Sequence, residues 1–145
     1  MTVREARAED LQPLLNLYTH LHNNPVPEID SRLLSLWERI LNDPDHHILL
    51  ADADGQIAAS CVVLIVPNLT NGQRPYALIE NVVTHAAYRR RGYATACLHA
   101  AKQIAEREGC YKIMLMTGAK DAGRLHFYEQ AGFDRHEKTA FIQRL

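Results

Sequence analysis

One segment of the chain carries more structural information than any other: Glu80-Asn81-Val82-Val83-Thr84-His85-Ala86-Ala87-Tyr88-Arg89-Arg90-Arg91-Gly92-Tyr93-Ala94. An apolar run with strand character leads into a basic turn that contains a glycine, and a pattern with helical spacing follows. The first turn of a helix leaves backbone N–H groups without partners and carries partial positive charge. Gly92 lets the backbone approach a ligand closely, and the three arginines add charge. The segment therefore predicts an anion-binding turn between a strand and a helix.

The composition limits what kind of molecule carries this turn. The chain has 145 residues, of which 47% are hydrophobic, so we expect one domain over residues 1–145. Its formal net charge of -1 argues against a chain-wide field that would recruit nucleic acid or an anionic membrane. No apolar run has the length of a membrane span, and the N-terminus lacks the apolar core of a signal peptide. We therefore expect a cytoplasmic protein without nucleic-acid or membrane partners.

The cysteines and histidines show no metal-binding pattern. Cys61, Cys97 and Cys110 are odd in number and lack the spacings of a zinc site or a disulfide framework, which favours a reducing compartment. The eight histidines form no HExxH motif or comparable ligand spacing. We therefore expect no metal site.

The apolar spacing switches between periods of about two and about 3.6, which is typical of a mixed α and β domain. The pair Asp54-Gly55 predicts a hairpin between two strands, and the connection from residue 84 to residue 113 predicts a crossover between two parallel strands. We expect strands over residues 2–4, 48–51, 57–66, 76–84, 113–116 and 139–144. Helices are expected over 11–21, from 30 or 31 to 41, from 94 as far as 109, and over 124–130. The fold class is therefore α/β (α+β) with a largely antiparallel sheet.

Two motifs carry a family resemblance. Arg89-Arg90-Arg91-Gly92-Tyr93-Ala94 resembles the [Gln/Arg]-x-x-Gly-x-[Gly/Ala] signature of the GNAT N-acetyltransferase superfamily, and Phe127-Tyr128-Glu129-Gln130-Ala131-Gly132-Phe133 resembles its C-terminal motif. Both stand at the expected places in the element order, so the resemblance covers the whole chain. It implies a mixed, largely antiparallel central sheet with helices on both faces and a splayed parallel strand pair. Residues 78–83 and 109–113 are further similar to the small-amine branch that includes glucosamine-6-phosphate acetyltransferases.

The resemblance implies acetyl-CoA as co-substrate, without a metal. The residues that would hold its pyrophosphate are Arg89, Arg90, Arg91, Gly92, Tyr93, Ala94 and Thr95, mainly through backbone N–H groups. The pantetheine arm would pair with the strand that holds Val82, Val83 and Thr84, as an added strand does. One N–H near Val82 or Val83 would polarise the thioester carbonyl. The side chains of these valines are expected to be core residues.

Two residues are candidates for proton transfer. Glu80 lies in an apolar strand segment and could act as general base for the attacking amine, although a salt bridge or a substrate contact would also explain it. The resemblance implies that Tyr128 protonates the leaving thiolate, and the alternative is a core tyrosine with a satisfied hydroxyl. Asp121 departs from the family pattern, because many members carry an asparagine seven residues before the tyrosine and a carboxylate cannot donate.

The sequence thus predicts an N-acetyltransferase in which the primary amine of a small molecule attacks acetyl-CoA directly in a ternary complex. A protein or peptide acetyltransferase and a non-catalytic CoA-binding sensor are the alternatives. We expect the acceptor between residues 23–30, the 67–75 connection and the final strand. That strand would be exposed, which leaves a homodimer open as an assembly.

Overall fold

The computed structural model describes residues 1–22 and 25–145. The predicted acceptor segment at residues 23–30 therefore lies partly outside the described residues. The elements follow the expected order as far as the fourth helix. They are β1 (Thr2–Glu5), α1 (Leu11–Tyr18), α2 (Ser31–Asn42), β2 (His46–Ala53), β3 (Gln56–Val66), β4 (Tyr76–Thr84), α3 (Tyr93–Arg107), β5 (Ile113–Leu115) and α4 (Ala122–Gln130).

The five strands form one sheet in the order β1-β2-β3-β4-β5. Neighbours pair antiparallel except β4 and β5, which are parallel as the crossover predicted. The hairpin between β2 and β3 turns at Asp54 and Gly55, whose φ angles of 51° and 81° are both positive, as a two-residue hairpin turn with matching twist requires. The mixed, largely antiparallel sheet is confirmed.

Helices cover both faces of the sheet because successive strand residues point to opposite sides. Leu49 belongs to a buried cluster with α3, in which Cys97 is fully buried. Its neighbour Leu50 belongs to a second cluster with Leu14 of α1 and Trp37 of α2. We name these two sides the α3 face and the α1–α2 face. Within the described ranges, no helix has the length and the apolar content needed to cross a bilayer.

An ion pair anchors β1 to the short 3₁₀ turn before α1. Arg4 Nη1 and Nη2 donate to the Asp10 carboxylate at 2.7 and 2.9 Å, and the Arg7 backbone N–H donates to it at 2.7 Å. Asp10 is buried, so an unpaired charge there would be costly. The hydrogen bonds from Arg4 hold the pKa of Asp10 below its ordinary value.

The helices begin in different ways. Asp30 caps α2 by accepting from the Leu33 N–H at 2.8 Å, and Asp121 caps α4 by accepting from the Arg124 N–H at 3.0 Å. Such a cap contributes about 1 kcal/mol. Helix α3 instead has Gly92 at its N-cap position, and glycine has no side chain to cap the helix. Its first-turn donors therefore stay open to another acceptor.

The parallel strands pair over a short stretch, because β5 has only three residues. Strand β4 pairs with β5 only from Ala77 to Ile79, whereas β4 itself continues to Thr84. The predicted parallel pair is confirmed, and the last five residues of β4 have no strand neighbour on that side within the described residues.

The predicted final strand over residues 139–144 is wrong. The described structure has no strand after α4, and Phe141 is 92% exposed. A composition that suits a strand does not make one without a backbone edge to pair with, and β5 at the neighbouring sheet edge is only three residues long. Dimer pairing through this strand consequently loses the basis on which it was expected.

Candidate active site

Strand β4 carries a β-bulge at Asn81. Ser60 of β3 pairs with Val83, but Val62 pairs with Glu80, so Cys61 between them faces two residues of β4. Asn81 has a left-handed backbone with φ of 51°, a conformation that asparagine tolerates better than most residues. An extra residue bends the strand and shifts the alternation of its side chains. Hence Val82 packs on the α3 face, and Val83 is buried on the α1–α2 face.

The bulge lies in the part of β4 that extends beyond the pairing with β5. The backbone groups of residues 80–84 that point towards β5 have no strand partner among the described residues. An extended chain can pair with such a free edge through main-chain hydrogen bonds. This edge includes the predicted residues Val82, Val83 and Thr84.

A tight turn connects β4 to α3. The Ala87 N–H donates to His85 Nδ1 at 3.2 Å and starts a 3₁₀ turn over Ala86–Tyr88. Two left-handed residues follow, Arg90 with φ of 59° and Gly92 with φ of 84°. Gly92 suits this conformation, as the sequence indicated, whereas the left-handed Arg90 was not predicted.

The start of α3 offers unused donors. The first backbone hydrogen bond at the N-terminal end of α3 runs from the Ala96 N–H to the Gly92 carbonyl, at 2.9 Å. The N–H groups of Tyr93, Ala94 and Thr95 have no acceptor in residues 1–22 and 25–145. These donors stand at the positive end of a 15-residue helix, which is a favourable place for a phosphate.

The three arginines of the turn are exposed and make no ion pair with any described residue. The Arg91 guanidinium lies 5.7 Å from the centre of the Tyr88 ring. Tyr88 in turn meets Tyr93 edge-on, with 5.7 Å between the ring centres. Arg89, Arg90 and Arg91 thus keep their charge available for an anion.

Tyr128 lies half-buried on α4 and packs against the α3-face cluster, as Val82 and Tyr93 do. The structure therefore brings three of the predicted site residues to one cluster. Burial raises the pKa of Tyr128, and the nearby Arg124 partly offsets the rise. The phenol is therefore protonated at neutral pH and can donate a proton.

Asp121 has a structural explanation in this chain. Besides capping α4, its carboxylate lies 3.3 Å from Arg124 Nε. Its oxygens are therefore engaged at the start of α4. A negative charge at this position also interacts favourably with the helix dipole.

Glu80 lies on the other face from Tyr128. Its cross-strand partner is Val62, which belongs to the α1–α2 cluster, and directly opposed residues project to the same side. Glu80 is half-buried and makes no ion pair or side-chain hydrogen bond with the described residues. Among the described residues, Glu80 therefore has no cationic partner with which to form a structural salt bridge.

The structure also reveals a cleft that the sequence did not predict. It lies on the α1–α2 face, has a volume of about 210 Å³, and reaches Tyr18 of α1 and Asn81 at the bulge. Burial raises the pKa of Tyr18 to about 12, although the polar groups of Ser60 and Asn81 oppose the rise. In the sequence, Tyr18 is the one residue with a polar group in a stripe of leucines, and that signal could have identified it.

The predicted acceptor boundary at residues 67–75 is not part of this cleft. Arg74 Nε and Nη2 donate to the carbonyls of Gly109 and Cys110 at 3.0 and 2.9 Å. This ties the connection to the C-terminal end of α3, whereas the bulge lies near its N-terminal end. The sequence of this connection could not reveal at which end of the sheet the loop would lie.

Comparison with known proteins identifies the family. Residues 11–133 match the model of the acetyltransferase (GNAT) family, and the chain belongs to that family. Of curated proteins, a glucosamine 6-phosphate N-acetyltransferase from Trypanosoma brucei brucei is 37% identical over 84 residues, which are 58% of this chain and 55% of that protein. The chain spans about half the length of the curated relatives that it matches.

Solved structures match along the whole chain. A protein from Agrobacterium tumefaciens that carries an acetyltransferase assignment has a TM-score of 0.90 at 38% identity, and the match covers 99% of this chain and 100% of that one. A structure described as a transcriptional regulator from Bacillus halodurans has a TM-score of 0.87 at 25% identity, with 99% of both chains covered.

Proposed function

We propose that this chain is an N-acetyltransferase that transfers the acetyl group of acetyl-CoA to the primary amine of a small molecule by direct attack in a ternary complex. One observation carries the proposal: a bulged strand with a free edge leads through a tight turn into a helix start with unpartnered N–H groups. Membership of the GNAT family supports acetyl transfer, and the matching curated relative is named for a small amine substrate.

The residues of this chain fit the donor. Phosphates would accept from the N–H groups of Tyr93, Ala94 and Thr95, with charge from the three arginines. Gly92 leaves the approach open, since a Cβ there would meet only Met1 Cε at 3.8 Å within a radius of 4 Å. The free edge at Val82, Val83 and Thr84 would pair with the amide groups of the pantetheine arm.

The chemistry would divide between the two faces. Acetyl-CoA supplies an acyl group activated as a thioester. An N–H of Val82 or Val83 would donate to the carbonyl oxygen, an interaction worth about 3 kcal/mol in other acyl-transfer enzymes. As the carbon–nitrogen bond forms and the carbon–sulfur bond breaks, Glu80 would accept the proton that the amine releases and Tyr128 would give one to the sulfur.

Free-thiol release with acetyl-CoA and a panel of amines tests this function. We expect thiol release that depends on both substrates, together with acetyl-CoA binding by calorimetry. Binding without release for any amine would favour the sensor alternative, which the regulator description of the Bacillus halodurans structure keeps relevant. Faster turnover of a lysine peptide than of every small amine would instead favour the peptide alternative.

Two further points belong to the proposal. A cytoplasmic location is supported by three free cysteines. A homodimer is kept in the proposal as an assembly to be tested, without the pairing through residues 139–144 that first suggested it. Sedimentation analysis at several protein concentrations checks the assembly.

A further inference from the structure

We propose that the acceptor amine is carried on a compact apolar body, as in an alkylamine or an arylalkylamine, and that the cleft on the α1–α2 face binds this body. The inference rests on the proposed function and specifies its acceptor class. This acceptor class differs from the phosphosugar for which the matching curated relatives are named.

The wall of the cleft is apolar. It is built by leucines of α1 and α2 together with Trp37, Ile40, Ile48 and Val62. The polar atom of Trp37 is engaged elsewhere, because its Nε1 donates to the Ala8 carbonyl at 3.1 Å. No lysine, arginine, aspartate or glutamate lines the cleft in the described part of the chain. A phosphate or a second ammonium group inside would lose its hydration without gaining a charged partner.

Two polar residues mark the end of the cleft that lies at the bulge. Tyr18 and Asn81 stand where the cleft meets the bulge of β4, next to the strand edge proposed for the donor. Both can accept hydrogen bonds from an amine without adding charge. His46 also lines the cleft, and burial lowers its pKa, so it supplies no cation at neutral pH. An amine at this end would have its apolar body among the leucines.

The volume fits a small hydrocarbon group. An apolar cavity of about 150 Å³ can hold one benzene molecule. The cleft, with about 210 Å³, has room for such a ring with a short arm, or for an alkyl chain of similar bulk.

A neighbouring groove offers no strong anion site. It is wider, with a volume of about 670 Å³, and shares Leu33 and Leu36 with the cleft. Arg32 and Arg39 lie there, but Glu28 and Asp30 line the same groove and offset their charge. A phosphosugar would therefore gain little from the groove while its hydroxyls met the apolar wall of the cleft.

The test is a homologous series of primary alkylamines from ethylamine to hexylamine, with thiol release as the readout. The amines have nearly equal basicity, so chain length is the variable. Burial of one methylene is worth about 0.8 kcal/mol, so we expect kcat/KM to rise about fourfold per methylene until the cleft is full. We also expect 2-phenylethylamine to exceed glucosamine 6-phosphate at least about 100-fold in kcat/KM. A flat series or preference for the phosphosugar overturns the inference, while the proposed function stands.

A second readout does not depend on turnover. Trp37 is the single tryptophan of the chain, so its fluorescence reports on the cleft. We expect 2-phenylethanol, which lacks the amine, to shift this emission in a saturable way. No shift overturns the inference. A saturable shift with no thiol release from any amine supports the cleft assignment but contradicts the proposed enzymatic function.

Two leucines of α2 provide a matched pair of variants. Leu36 lines the cleft and is 41% exposed, whereas Leu34 is 50% exposed and does not line it. We expect Leu36→Gln to lower kcat/KM for 2-phenylethylamine and to weaken 2-phenylethanol binding, each about fivefold to tenfold. Leu34→Gln should leave both values within about twofold. Equal effects of the two variants would overturn the inference.

Discussion

Glu80 and Tyr128 lie on opposite faces of the central sheet. Glu80 shares the α1–α2 face with its strand partner Val62, and Tyr128 packs with Val82 on the α3 face. The bulge at Asn81 separates Glu80 from Val82 in the chain and exchanges the faces to which the following residues point. A proton acceptor on the cleft side and a proton donor on the opposite side can therefore act on two different atoms of one reaction.

Removing the hydroxyl of Tyr128 should slow catalysis without weakening donor binding. The ring of phenylalanine preserves the packing on α4, so we expect Tyr128→Phe to lower kcat about 100-fold, which is the lower range for general acid catalysis. Calorimetry should give an unchanged acetyl-CoA affinity. Burial holds the pKa of Tyr128 above its ordinary value of 10.0, so loss of this acid should not limit the wild-type rate below that pH. Full turnover by the variant would assign Tyr128 to packing alone.

Glu80→Gln should lower kcat because an amide cannot accept the proton of the amine. We expect a loss of about 100-fold with little change in stability, since the carboxylate has no ion pair among the described residues. Glu38→Gln is the control, because Glu38 is exposed on α2 and remote from the proposed chemistry. If both variants retain the wild-type rate, an ordered water rather than Glu80 removes the proton.

Gly92→Ala and Gly109→Ala form a pair at the two ends of α3. Both glycines have left-handed φ angles, 84° and 72°, so each substitution should cost about 1–2 kcal/mol of stability. Only Gly92 lies at the proposed phosphate site. We expect Gly92→Ala to raise the KM for acetyl-CoA about tenfold, whereas Gly109→Ala leaves it unchanged when both are assayed well below their melting temperatures. An equal change in KM would mean that the effect is stability alone.

Asp10→Asn should remove a pH-dependent part of the stability. The folded state holds the pKa of Asp10 below its ordinary value of 3.8, so the carboxylate stabilises the fold above that value and loses this effect as pH falls through the folded pKa. Urea unfolding at about pH 7 should show a loss of about 2 kcal/mol for the variant, and the difference should shrink towards about pH 3. Asp52→Asn is the control, because Asp52 also binds Arg4 but is more exposed and should cost less. A difference that does not change with pH would contradict the assigned role.

Local patterns predicted most of the fold. Alternation and helical spacing identified five strands and four helices, and the Asp54-Gly55 turn and the crossover gave their relative directions. The error over residues 139–144 shows where such patterns fail. Strand formation needs a partner edge, and the sequence of a segment says nothing about whether that edge is available.

Some parts of the candidate site could be predicted from the sequence, and others could not. The turn at Gly92 follows from local chemistry, because a glycine before a helix predicts an open N-terminus. The bulge at Asn81 depends on the register between β3 and β4. One extra residue in β4 shifts this register, and the sequence around Asn81 gives no clear signal of it. The cleft beside Tyr18 exists only once α1 and α2 have packed on the sheet, so neither helix indicates it alone.

The buried thiols of this protein suit an assay that detects free thiol in solution. Cys61 and Cys97 are fully buried, and hydrogen bonding with Cys97 together with burial raises the pKa of Cys61. Burial also raises the pKa of the more accessible Cys110. Thiolates are the reactive form, so aromatic disulfide and maleimide reagents should react slowly with the folded chain at neutral pH. Coloured product in a thiol assay should consequently report released CoA with a low and steady background from the protein.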